Sequence, residues 1–258
     1  MNQEQRRKYL INYLLDERNA QAEIPDDEYS QKRLLRALFN VREPLAASED
    51  FLRIQDEYLG EELRLKGITN IADLTPVQPD IYLWQGDITT LKCDGIVNAA
   101  ISQMLGCFRP NHGCIDNAIH TFAGIQLRQE CAEIMKAHGH DELTGEAKIT
   151  HAYNLPCKYV LHTVGPIVYG KLTAEHERLL ESCYRSCLAL ADKNGLESLA
   201  FCCISTGEFH FPNERAAEIA IRTIQDYKRQ TESRIKVIFN VFKEHDYEIY
   251  ARLLGTNK

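Results

Sequence analysis

In the N-terminal quarter of the chain, charged residues alternate with Leu, Ile, Phe and Tyr at steps of three and four residues. This spacing places the apolar side chains on one face and predicts amphipathic helices. Pro25 and Pro44 interrupt the pattern, and Ser48 precedes two acidic residues as the cap of a third helix would. We therefore predict a helical extension over residues 1–70 and a separate domain over residues 71–258.

From residue 81 onward, short apolar runs rich in β-branched and aromatic residues alternate with helical patterns. The runs are IYLWQ (81–85), DGIVNAA (94–100), AKITHAY (147–153), KYVLHTVGP (158–166), SLAFCCIS (198–205) and IKVIFNVF (235–242). They are typical of buried strands, and helices are predicted over 174–194, 214–229 and 245–254. This alternation predicts a three-layer α/β/α sandwich whose ligands bind in loops beyond the carboxyl ends of the strands.

Composition narrows the class of protein. The 258 residues are 44% hydrophobic and 26% charged, as in ordinary globular proteins, and the net charge of -7 disfavours a binder of nucleic acid or anionic membrane. No apolar run approaches the roughly 20 residues that cross a bilayer, and the first ten residues lack the apolar stretch of a signal peptide. We therefore expect a cytoplasmic protein whose nine cysteines are thiols. Cys183 and Cys187, one helical turn apart, are expected in the core.

The loop after the second predicted strand contains the sequence CFRPNHGC, in which Cys107, His112 and Cys114 lie within eight residues. Sulfur and imidazole donors suit Zn²⁺, although two thiols and a surface histidine also coincide where no metal binds. Three protein ligands leave one position open, which is typical of catalytic rather than structural zinc. His120 is a candidate fourth ligand, but a core or surface role is favoured.

Two further loops carry candidate chemistry. In STGEFHFP (205–212), small residues would let backbone N–H groups surround an anion before a helix, although a plain strand-to-helix turn is equally compatible. Glu208 suits such a loop only if its side chain points away from the anion. After the first strand, Asp87 is either a helix cap or a carboxylate that accepts a hydrogen bond from an amino group.

Taken in order, several segments resemble the motifs of macrodomains. They are GDIT (86–89), VNAA (97–100), IDNAIH (115–120), GEAKITHAYNLPCKYVLHTVGP (145–166), STGEFHFP (205–212) and VFKEHDYEIY (241–250). With CFRPNHGC replacing the usual glycine-rich stretch and a helical extension in front, the chain is similar to the zinc-containing macrodomains of bacteria and fungi that are linked to class M sirtuins. The resemblance implies a macrodomain sandwich with a mixed, mostly parallel sheet.

It also implies an activity and partners. The chain would be a zinc-dependent mono-ADP-ribosyl hydrolase with one Zn²⁺, which binds ADP-ribose and removes it from a lipoyl-carrier protein resembling the glycine-cleavage H protein. The modification to be removed would be made by the class M sirtuin. The N-terminal helices are expected to cover a flank of the sandwich, and recognition of the carrier protein is the alternative.

The resemblance further implies which residues contact the nucleotide. Asp87 would accept a hydrogen bond from the adenine amino group, with the backbone of Ile88 beside the base. Phe242 would stack on adenine or, equally, belong to the core. The diphosphate would lie in the loop formed by Ser205, Thr206, Gly207, Glu208 and Phe209, and Phe209 would also flank the ribose.

For the reacting end of the ligand, Asn98 and the loop that it opens would border the distal ribose. Cys107, His112 and Cys114 would hold Zn²⁺ beside that ribose, so that the metal orients the sugar or lowers the pKa of the attacking water. Asp116 matches the acidic residue that many hydrolytic macrodomains use near the scissile bond, where it would position or deprotonate that water.

The resemblance breaks at Ile101, because macrodomains usually have an asparagine after Asn-Ala-Ala. Isoleucine forms no hydrogen bond with a sugar hydroxyl, and an unsatisfied buried partner costs about 1–3 kcal/mol. Two alternatives to the hydrolase stay open, and only the first follows from Ile101. One is a reader that binds ADP-ribose without cleaving it, and the other is a hydrolase of O-acetyl-ADP-ribose.

Overall fold

The computed structural model describes residues 1–256 and begins with three helices. These are α1 (Gln3–Glu17), α2 (Glu28–Val41) and α3 (Glu49–Lys66). Ser48 caps α3, as its position before the acidic pair predicted, by accepting a hydrogen bond from the backbone N–H of Phe51. The apolar faces of the three helices meet in one cluster, which Ile125 of the following domain joins. The helical extension is thus confirmed, and it packs on the domain that follows it.

The remaining elements alternate strands with helices. They are β1 (Thr69–Asn70), β2 (Ile81–Gln85), β3 (Leu91–Lys92), β4 (Gly95–Ala100), α4 (Ile115–Ala123), α5 (Ile125–His138), β5 (Ala147–His151), β6 (Tyr159–Val164), α6 (Ala174–Lys193), β7 (Ser198–Phe201), α7 (Asn213–Thr231), β8 (Lys236–Val241) and α8 (Glu244–Leu253). Each predicted strand and helix is present. The two-residue strands β1 and β3, which pair in parallel, were not predicted. The last helix of the extension ends at Lys66, and β1 follows it.

The main sheet has six strands in the order β2-β8-β7-β4-β6-β5. All neighbours are parallel except β5, which runs antiparallel to β6. The predicted mixed, mostly parallel sheet is confirmed. Because five strands run in one direction, their carboxyl ends share one edge, where the loops after β4 and β7 lie side by side.

Helices cover both faces of this sheet. On β6, His162 faces Cys131 of α5, while Thr163 faces Cys183 of α6. Since successive side chains of a strand point to opposite faces, α5 and α6 lie on opposite sides of the sheet, which confirms the three layers. Helices α6, α7 and α8 pack in sequence on one side, and α4 and α5 pack on the other beneath the extension.

The burial of two cysteines agrees with the sequence interpretation. Cys183 and Cys187 are fully buried in the core, as predicted, and all nine cysteines are free thiols. Within residues 1–256, no helix combines the length and the apolar character needed to cross a bilayer.

Candidate functional site

Two loops at the carboxyl edge of the sheet meet through their side chains. The loop after β4 contains His112, and the loop after β7 contains Glu208. Glu208 Oε1 lies 3.5 Å from His112 Nε2, and its other oxygen lies 3.9 Å from Nη1 of Arg109. Glu208 therefore points toward the loop after β4, which meets the condition that an anion-binding role of its own loop would set. The candidate metal loop and the candidate diphosphate loop form one site.

The three predicted metal ligands converge. The donor atoms of Cys107, His112 and Cys114 all lie within 4.8 Å of one another, and Cys107 Sγ is 3.6 Å from His112 Nδ1. Tetrahedral zinc places a sulfur and a nitrogen ligand about 3.6 Å apart, given its bond lengths. The side chains present therefore fit Zn²⁺ in donor type and in spacing.

Cys114 is also the N-cap of α4. Its sulfur accepts a hydrogen bond from the backbone N–H of Asn117 at 3.4 Å, where the partial positive charge of the helix end favours a thiolate. Burial acts in the other direction and raises the pKa of the Cys114 thiol to about 12. A bound cation would reverse that shift. His120 lies apart from this group and beside Cys131 and His162, so it takes the core position that was favoured.

A buried polar network lies on the α4–α5 side of the sheet. Asn98 Nδ2 donates to Asp116 Oδ1 at 2.7 Å and lies 3.1 Å from Nδ1 of His162. Since this amide nitrogen is a donor, Nδ1 of His162 accepts, and Nε2 donates to Thr150 Oγ1 at 2.9 Å. Burial lowers the pKa of His162 to about 3, which keeps the imidazole neutral.

This network fixes the two predicted catalytic residues. Asn98 is fully buried, so its side chain holds Asp116 and His162 instead of lying at the surface of the loop. Asp116 is 3% exposed, and burial raises the pKa of its carboxyl to about 6. Within residues 1–256, Asp116 Oδ2 has no hydrogen-bond partner. One carboxylate oxygen is therefore held by Asn98, and the other is buried without a partner.

The loop after β7 has the form of an anion site. Ser205 adopts a left-handed conformation with φ 64°, and its carbonyl accepts a hydrogen bond from the backbone N–H of Phe211. Within residues 1–256, the backbone N–H groups of Gly207, Glu208 and Phe209 donate no hydrogen bond. The hydroxyl of Thr206 donates a hydrogen bond to the backbone oxygen of Cys203. Three unsatisfied N–H groups just before the N-terminus of α7 can bind an anion.

The residues predicted to bind adenine lie at the other end of the same edge. Oδ1 of Asp87 accepts hydrogen bonds from the backbone N–H and hydroxyl of Thr89, so Asp87 is a cap, while its Oδ2 lies 3.3 Å from Nζ of Lys66. The side chain of Ile88 is buried. Phe242 is 74% exposed, which excludes the core role that was its alternative.

Three residues of the site had no predicted role. Arg36 of α2 reaches the candidate metal loop, Asn117 of α4 contacts the same loop, and His162 holds Asn98. A histidine in the middle of an apolar strand is a visible signal for His162. The sequence offers no comparable signal for Arg36, because its partners are distant along the chain.

Comparison with known proteins identifies the relatives of this chain. The Macro domain family model matches residues 97–220. A protein-ADP-ribose hydrolase from Treponema medium is 58% identical over 99% of this chain and 100% of the relative. A protein of the same name from Staphylococcus aureus strain MSSA476 is 49% identical over 95% of this chain and 93% of the relative.

Solved structures have the same fold. The Trypanosoma brucei macrodomain in complex with ADP-ribose has a TM-score of 0.66 and 33% identity, and the alignment covers 85% of this chain and 95% of that one. The Oceanobacillus iheyensis macrodomain with ADP has a TM-score of 0.63 and 35% identity, covering 70% of this chain and 94% of that one.

Proposed function

Because the chain belongs to the Macro domain family, we propose that it hydrolyses the bond between ADP-ribose and a modified protein, using one Zn²⁺. The observation that carries the proposal is the meeting of two loops at one sheet edge. One loop brings together three zinc-type donors, and the other presents unsatisfied N–H groups for an anion. The names of the Treponema and Staphylococcus relatives support the same activity.

The proposed position of the nucleotide follows from the groups that are free to bind it. The diphosphate lies on the N–H groups of Gly207, Glu208 and Phe209, next to the N-terminus of α7. The adenine lies toward Asp87 and the exposed ring of Phe242, which offers an aromatic face for stacking. The distal ribose then extends from the diphosphate toward the loop after β4.

Cys107, His112 and Cys114 would hold the metal at that end. Bound Zn²⁺ would supply a Lewis acid that orients the distal ribose beside the reacting bond. Asp116 contributes a carboxylate whose Oδ1 is fixed by Asn98 and whose Oδ2 is buried and has no hydrogen-bond partner within residues 1–256. In the proposed reaction, this oxygen accepts a hydrogen bond from water or a sugar hydroxyl. Asn98 holds that carboxylate in place, and His162 in turn holds the amide of Asn98.

For the protein substrate, we propose a lipoyl-carrier protein of the glycine-cleavage H type, modified by a class M sirtuin. The support for this narrower proposal is the CFRPNHGC loop together with the helical extension, which resemble the sirtuin-linked group of zinc-containing macrodomains.

The test uses the full-length protein and a mono-ADP-ribosylated carrier. Mass spectrometry of the intact carrier should show loss of the modification, and chromatography should show free ADP-ribose. If the protein binds the modified carrier and leaves it intact, it is a reader. If it cleaves only free O-acetyl-ADP-ribose, it is a small-molecule hydrolase. Either result would overturn the proposal.

A further inference from the structure

Helix α2 of the extension contacts the candidate metal loop through two polar side chains one helical turn apart, Arg36 and Asn40. Arg36 Nη2 donates to the backbone oxygen of His112 at 3.1 Å. Asn40, which is 1% exposed, accepts a hydrogen bond through Oδ1 from the backbone N–H of Asn111 at 2.9 Å. Asn111 has φ 55°, a left-handed conformation that asparagine adopts more readily than most residues, and the hydrogen bond from its backbone N–H to Asn40 anchors it there. The extension therefore helps to fix the loop's backbone.

Asn117 extends this contact to both cysteines. Arg36 donates to Asn117 Oδ1 from Nε at 3.1 Å and from Nη2 at 2.7 Å. Asn117 Nδ2 donates to the carbonyls of Arg109 at 3.0 Å and Cys107 at 3.4 Å. The backbone N–H of Asn117 donates to the sulfur of Cys114. Since Asn117 is fully buried, its side-chain amide depends on Arg36 and on these two carbonyls for its hydrogen bonds.

We propose that Arg36 is a positioning residue for the zinc site, acting directly at His112 and indirectly through Asn117. The inference rests on the proposed function, because it concerns the metal site proposed there. A loop that is already held by hydrogen bonds loses less conformational freedom when it binds a metal than a free loop does. Loss of the groups that orient metal ligands typically weakens metal binding by about 10- to 100-fold.

A purely structural role for Arg36 predicts something different. If its contacts only attach the extension to the domain, then any change that weakens the extension should weaken zinc binding equally. Leu35 provides the comparison, because it is buried in the apolar cluster of the extension and has no polar group to offer the loop. Arg33 provides the second comparison, because it is exposed on the same helix and lies over the ring of Tyr29.

The experiment measures the zinc dissociation constant of full-length protein by competition with a chromophoric chelator. It compares the wild type with Arg36→Met, Arg36→Lys, Leu35→Ala and Arg33→Met. Two further readouts are the visible spectrum of the Co²⁺-substituted protein, which reports ligand geometry, and thermal unfolding of chelator-treated protein.

We expect Arg36→Met to bind zinc about 10- to 100-fold more weakly and to alter the Co²⁺ spectrum. Arg36→Lys, which keeps the charge but lacks the forked donors, should lie between Arg36→Met and the wild type. Leu35→Ala should lower the melting temperature without changing zinc affinity, and Arg33→Met should change neither.

Wild-type affinity in Arg36→Met would overturn the inference, as would an equal loss of affinity in Leu35→Ala. If Arg36→Met does not fold, Arg36→Lys decides, and wild-type affinity in that variant overturns the inference. If the wild type itself takes up no zinc, the proposed metal fails and the positioning role fails with it. Tight zinc binding by both wild type and Arg36→Met removes the positioning role alone.

Discussion

Glu208 Oε1 lies 3.5 Å from His112 Nε2, so a carboxylate from the loop after β7 faces the imidazole of the loop after β4. The other ring nitrogen of His112 faces the sulfur of Cys107. When Nδ1 of a histidine binds a metal, Nε2 carries the proton, and a carboxylate beside it fixes the ring and strengthens the ligand. Nη1 of Arg109 also lies near Nε2 of His112, at 3.1 Å, so two side chains of opposite charge stand beside this nitrogen. A metal at Nδ1 would leave the proton on Nε2, which only the carboxylate of Glu208 can accept.

Replacing Glu208 should therefore weaken zinc binding in a graded way. Glu208→Ala removes the acceptor and the charge, and we expect about a 10-fold loss of zinc affinity or more. Glu208→Gln keeps a neutral acceptor and should lose less. Chelator competition measures both, with Glu175→Gln as the control because this residue lies on the surface of α6 and pairs with Arg178. Equal affinity in all four proteins would show that Glu208 does not support the metal.

The zinc site itself has a fixed stoichiometry. We expect about one zinc per chain, lost in Cys107→Ala or Cys114→Ala, because removing one of three protein ligands leaves too few to hold the ion. Elemental analysis of protein purified without added metal measures this directly. Less than about a tenth of a zinc per chain, with no uptake on titration, would show that CFRPNHGC is an ordinary loop that binds no metal.

Much of the fold was predictable because each long strand and helix has its own pattern. IYLWQ at β2 and IKVIFNVF at β8 are apolar runs of strand length, and both form strands. The order of the strands in the sheet could not be predicted in this way. No local feature of β4 specifies that β6 and β7 are its neighbours, because that choice depends on how all the layers pack together.

Likewise, one part of the candidate site was predictable from the sequence and another part was not. Cys107, His112 and Cys114 were predictable as a group because they are close in sequence. The contact of Arg36 with His112 joins residues 76 positions apart, which no spacing rule detects. Phe242 was ambiguous because an apolar residue at the end of a strand suits both the core and a binding surface, and only its exposure distinguishes them.

Gly207→Glu should abolish ADP-ribose binding while the domain stays folded. The space around a Cβ at Gly207 is open, so the larger side chain fits without a clash. Its carboxylate would then compete with the diphosphate for the loop's N–H groups. Calorimetric titration with ADP-ribose measures the effect. The control is Gly60→Glu on the exposed side of α3, which adds the same charge in equally open space. Unchanged affinity in Gly207→Glu would place the diphosphate elsewhere.

The burial of His162 makes the free energy of unfolding depend on pH. Burial lowers the pKa of His162 to about 3 in the folded protein, against an ordinary value of about 6.5 when unfolded. Below pH 6.5 the unfolded chain therefore binds a proton that the folded chain does not, and stability falls as the pH falls. This difference in proton binding lowers the free energy of unfolding by about 2 kcal/mol between pH 7 and pH 5.

Denaturant unfolding of wild type and His162→Gln at these two pH values tests this. Asn98, Thr150, Cys131 and His120 face the ring, and they are the same in both proteins. We expect the wild type to lose about 2 kcal/mol more than the variant on acidification. The exposed His245→Gln should follow the wild type. Parallel behaviour of wild type and His162→Gln would mean that His162 titrates normally.

The position of Ile101 decides whether an apolar side chain limits the reaction. Ile101 is half-buried just after β4, and within residues 1–256 it is not among the residues that pack against the apolar core. If it faces the distal ribose, Ile101→Asn restores a donor and an acceptor. Hydrolysis should then rise about 10-fold, since one typical hydrogen bond contributes about 1.4 kcal/mol. Single-turnover rates on an ADP-ribosylated carrier measure this, with Ile101→Leu as the apolar control.

Zinc content and melting temperature separate the possible causes of a result. Zinc content should not change in Ile101→Asn, because the substitution supplies no ligand of the type that Cys107 and His112 provide. An unaltered rate would show that Ile101 is turned away from the sugar, leaving Asp116 and the metal site to act without it. A lower melting temperature would lead to the same conclusion, because an asparagine buried without partners is costly where isoleucine is not.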